Sequence, residues 1–74
     1  MKVEIQNTVA RQTEQRMIFR VVSVAQKANN LNELNDLLEE RRCNLCECLD
    51  FGRGSNHIWV STNSNNERVL LITA

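Results

Sequence analysis

The chain has 74 residues with nine basic and nine acidic side chains, so its formal charge is zero. That length allows one domain, residues 1–74, burying only about 60–65% of the surface the unfolded chain exposes. Zero charge lacks the basic excess by which most nucleic-acid binders gain affinity from phosphate. No apolar run approaches the ~20 residues of a membrane span, and Met1-Lys2-Val3-Glu4 lacks a signal-peptide apolar region. Three cysteines in such a chain are expected as reduced thiols in the cytoplasm.

Residues 2–9 alternate. Val3, Ile5 and Val9 point one way, and Glu4, Gln6 and Thr8 the other, as in a half-buried strand. Residues 10–15 are polar and read as a loop. Residues 16–25, Arg-Met-Ile-Phe-Arg-Val-Val-Ser-Val-Ala, are apolar and β-branched, and predict a second strand. A rival pattern runs through the same segment: Ala10, Met17, Ile18, Val21, Val22 and Ala25 fit a helical stripe capped by Thr8. The strand is preferred because Val-Val-Ser-Val is poor helix material.

Residues 31–42 predict a helix. Asn30 is placed to cap it, with Glu33 three residues later as in a capping box. Leu31, Leu34, Leu37 and Leu38 form its apolar stripe, and Arg41 and Arg42 suit its C-terminal dipole. Residues 44–51 read as a strand ended by Gly52-Arg53-Gly54-Ser55. Residues 57–62 and 67–73 form a hairpin about the Asn-rich turn Asn63-Ser64-Asn65-Asn66. The expected fold class is α+β: a mostly antiparallel sheet in the order β-β-α-β-β-β, with one helix packed across one face.

That architecture carries a functional expectation. On the second strand Met17, Phe19 and Val21 would occupy one face and Ile18, Val22 and Val24 the other. Strands apolar on both faces want cover on both sides, and one helix covers only one. A second subunit or a partner protein would supply the rest. The expected function is therefore a small non-enzymatic protein-interaction module, a homodimeric regulator or inhibitor of a partner. Its expected interface residues are Arg16, Phe19, Arg20, Val22 and Trp59. A short, neutral, Asn-rich chain is also compatible with a phage or mobile-element accessory protein.

Two alternatives use other residues. Arginine outnumbers lysine seven to two, and guanidinium forks suit phosphate and interfaces. Arg16, Arg20 and Arg53 with Trp59 would form an RNA, DNA or nucleotide surface. The ordinary reading of the same arginines is pairing with Glu4, Glu14, Glu39, Glu40 and Glu67. The second alternative is zinc on Cys43, Cys46, Cys48 and His57. Against it, Cys46 and Cys48 fall in a predicted strand and not on a tight knuckle, glycine is missing there, and free cysteines behave as small hydrophobes; the helix C-terminus ahead of the cysteines argues against a thioredoxin-like role as well. No cofactor is expected, and no credible nucleophile–base pair stands out around His57.

Overall fold

Residues 12–27, expected in large part as a strand, form a helix. The computed structural model describes residues 1–41 and 49–74. Within them the chain runs β1 (Lys2–Ile5), α1 (Gln12–Lys27), α2 (Leu31–Glu40), β2 (Leu49–Arg53), β3 (His57–Thr62) and β4 (Arg68–Thr73). The class is α+β with a fully antiparallel sheet, ordered β1-β4-β3-β2. Among the described residues there are two helices and four strands, so the β-β-α-β-β-β order with one helix is corrected to β-α-α-β-β-β.

The reason lies in burial. Val21, Val24 and Ala25 are buried on α1, with Met17, Ile18 and Val22 packed partly against the same core. This is a 3.6-residue stripe. Each valine costs a few tenths of a kcal/mol to about 0.7 kcal/mol in helix propensity. Burying each one returns about 1.5–3 kcal/mol. Packing therefore outweighs intrinsic preference. The helix also begins later than the rival pattern implied: Arg11 occupies the cap position in extended conformation and makes no side-chain cap hydrogen bond. Gln15 secures the entry instead, its amide Nε2 donating to the Val9 carbonyl at 2.9 Å.

Ala28 ends α1 in extended conformation, its N–H donating to the Val24 carbonyl at 3.1 Å. Asn30 caps α2 as expected, Oδ1 accepting from the Glu33 N–H at 2.8 Å. The Glu33 carboxylate accepts from Asn29 Nδ2 at 3.3 Å, which ties the short interhelical link to the first turn of α2.

Leu31, Leu34 and Leu38 of α2 join the α1 stripe, Leu49, and the core side of the hairpin in one cluster. The register defines that side: Ile58 pairs with Ile72 and Val60 with Leu70. All four are at most 1% exposed. A register shift at Val60/Ser61 leaves Val69 between paired residues, and Val69 is buried beside Leu70. The first strand ends at Ile5 rather than residue 9. The third expected strand runs on through Gly52 to Arg53; its residues 44–48, and helix residue 42, lie outside the described residues.

Candidate interaction surfaces

The helical conformation of α1 regroups the side chains singled out in the sequence. Alternation along a strand would have set Phe19 on the opposite side from Arg16 and Arg20. On a helix, positions 16, 19, 20 and 23 share one face. Arg16, Phe19, Arg20 and Ser23 are all exposed, and Phe19 is 77% exposed. Val22 borders this face and is half-buried against the core. Phe19 thus stands in mid-helix on the same face as two arginines, its side chain largely open to solvent.

Beside this face a cavity of about 280 Å³ opens between the helices. Val21 and Val24 of α1 and Leu38 of α2 supply its apolar wall; Arg20, Lys27 and Arg41 supply three cations. Among the described residues no carboxylate pairs with any of the three. The one acid of α1, Glu14, is buried at the far end of the helix, its Oε1 lying 3.8 Å from Arg11 Nε. The outer face of α2 has the opposite sign: Asp36, Glu39 and Glu40 are exposed there. A chain of zero net charge is therefore polarised across its helix layer.

Trp59 lies elsewhere. Its neighbours in register are Gly52 and Leu71, on the face of the sheet away from Ile58 and Val60. The indole lies across Gly52 so closely that a β-carbon there would come within 2.1 Å of the ring. The Arg68 guanidinium stacks over the ring, 5.0 Å from its centroid. His57 repeats the device over Gly54, where an added β-carbon would meet the imidazole at 2.2 Å. His57 Nδ1 lies 3.2 Å from Asn56 Oδ1.

Of the five expected interface residues, the fold brings together Arg16, Phe19, Arg20 and Val22 and sets Trp59 apart on β3. The alternative nucleic-acid set is divided further. Arg53 stands opposite Ile58 in register, on the helix side of the sheet, while Trp59 faces away from it. Sequence reasoning missed Arg68 as the partner of Trp59. The hairpin register was the available signal, since it places residue 68 beside residue 61 and so near Trp59. Cys43, Cys46 and Cys48 lie outside the described residues. Among those described, no group of three His, Cys, Asp or Glu side chains is placed to hold a metal ion, and no helix is long and apolar enough to cross a membrane.

No protein-family model matches the chain, and neither does any curated protein or any solved structure.

Proposed function

We propose that this protein is a non-enzymatic interaction module that self-associates, and regulates or inhibits a partner protein, through the outward face of α1. The observation that carries this reading is Phe19, 77% exposed at the centre of a helix face and flanked by Arg16 and Arg20. Arginine and aromatic side chains dominate the energetics of protein interfaces. Burying a phenylalanine is worth about 1.5–3 kcal/mol, a substantial share of a micromolar affinity of about 8 kcal/mol.

One helix face is not a whole interface. Sixteen residues span about 24 Å, and a helix is only about 10–12 Å across. That falls well short of the ~800 Å² per partner of a standard interface. The contact must spread onto α2, whose outer face carries Asp36, Glu39 and Glu40. A second copy related by a two-fold axis along the helix layer would set cationic α1 against acidic α2 twice over, which is an isologous arrangement.

Light scattering on the eluting protein tests this directly. The expected result is a dimer that dissociates as salt rises and is lost in Phe19→Ser. A wild-type monomer that also captures no protein from native lysate would end the reading. A gel shift with RNA or DNA at low salt that survives Phe19→Ser would favour the nucleic-acid alternative in its place.

A further inference from the structure

The cavity between the helices makes a demand separate from Phe19. Three cations line it, and among the described residues none has a counter-charge. Two are arginines, whose planar forks match the oxygens of phosphate and carboxylate. The Ser23 hydroxyl adds a fourth donor to the lining. The same lining includes the apolar side chains of Val21, Val24 and Leu38, all three part of the core. A cavity lined by both cations and aliphatic side chains matches an amphipathic anion.

We propose that this cavity binds a small organic phosphate, its head held by Arg20, Lys27 and Arg41 and a short apolar body resting on Val21, Val24 and Leu38. Charge selects phosphate over carboxylate: a phosphate monoester carries about −1.5 to −2 at pH 7, the closer match to three cations. Size sets the rest. The volume of about 280 Å³ falls at the lower limit of ligand pockets, roughly 300–1,000 Å³, so the body is a few carbons or a single ring and not a dinucleotide. Arg20 belongs both to this cavity and to the face around Phe19, so an occupied cavity alters the charge that the face presents.

Hexyl phosphate is a suitable probe, with hexanoate, hexanol and inorganic phosphate as companions, titrated into isotopically labelled protein while backbone amide shifts are followed. The test uses both the wild type and Phe19→Ser, so a failure of self-association is read separately from a failure of the cavity. The expected result is saturable shifts confined to residues 20–27 and 38–41 in both proteins. Hexyl phosphate should bind more tightly than hexanoate or inorganic phosphate, and hexanol should not bind. Arg20→Gln and Lys27→Gln are exposed changes that leave the core intact, and each should weaken hexyl phosphate by about tenfold or more. Equal binding by hexanol would overturn the proposal. So would affinity unchanged when Arg20→Gln and Lys27→Gln are combined, or the absence of saturable shifts in Phe19→Ser.

Discussion

Gly52 is where one missing β-carbon decides what a whole face of the sheet looks like. Trp59 can lie flat against β2 only because nothing projects from that backbone, and a methyl group there would sit 2.1 Å from the indole. Gly52→Ala therefore forces the ring off its platform and off its stack with Arg68. The expected loss is about 1–3 kcal/mol, read as a lower urea midpoint, with tryptophan emission shifted to the red as the ring meets water. Gly54→Ala should cost less. The atoms it would meet are at the tip of the His57 imidazole, which can rotate into solvent beside Asn56. At Phe19 the expectation is reversed. Serine and phenylalanine have similar helix propensity, and the ring touches little of its own chain, so Phe19→Ser should change the urea midpoint by no more than about 0.5 kcal/mol. A large loss of stability there would mean that Phe19 has an intramolecular role.

The elements differ in how plainly their residues announced them. For α2 the cap, the leucine spacing and the acidic outer face all agreed, and the helix is found at Leu31–Glu40. Asn30→Ala should remove about 1 kcal/mol by orphaning the Glu33 N–H, measurable by thermal or urea unfolding. Leu34→Ala, at a fully buried site, should cost about 2–5 kcal/mol. The C-terminal hairpin was equally legible, since alternation and the Asn-rich turn each pointed to it; Asn66 at φ 60° uses the left-handed conformation that asparagine tolerates. The helix α1 was not. Val21, Val22 and Val24 argued locally for a strand, whereas the decisive information was the partner surface, Leu34, Leu38, Ile58 and Leu70, which a local reading does not supply. A strand would have set Phe19 on the opposite face from Arg16 and Arg20; the helix instead puts all three on one face, a grouping that a strand reading could not give.

For the molecule as a whole, that correction changes what asks for a partner. The sheet is not left bare by a single helix: α1 and α2 both contribute to the core that covers the Ile58, Val60, Leu70 and Ile72 side. The opposite side carries Lys2, Glu4, Asp50 and His57 around Trp59 and Leu71, the polar and apolar mixture that a solvated antiparallel face supports. The case for association therefore passes from an uncovered sheet to the polarised helix layer, cationic on α1 and acidic on α2. Small-angle scattering reads this at the right scale. The single chain has a radius of gyration of 11.0 Å, close to the ~11 Å expected of one compact domain of this length. A dimer should exceed that clearly at low salt and return towards it at high salt or in Phe19→Ser.

The Asn7 side chain donates to the Arg68 carbonyl across 61 positions of sequence, and among the described residues β1 lies at the sheet edge, paired with β4. Residues 2–5 pair with residues 70–73, so their ladder cannot form until that distant segment is in place. Until then both helices can assemble, yet the slab they are meant to roof lacks its second-innermost strand and its rim. Nascent chains stalled before residue 68 should accordingly be helical but protease-sensitive. Protection should arrive in a single late step, when residues 68–73 join β3 and give β1 its partner.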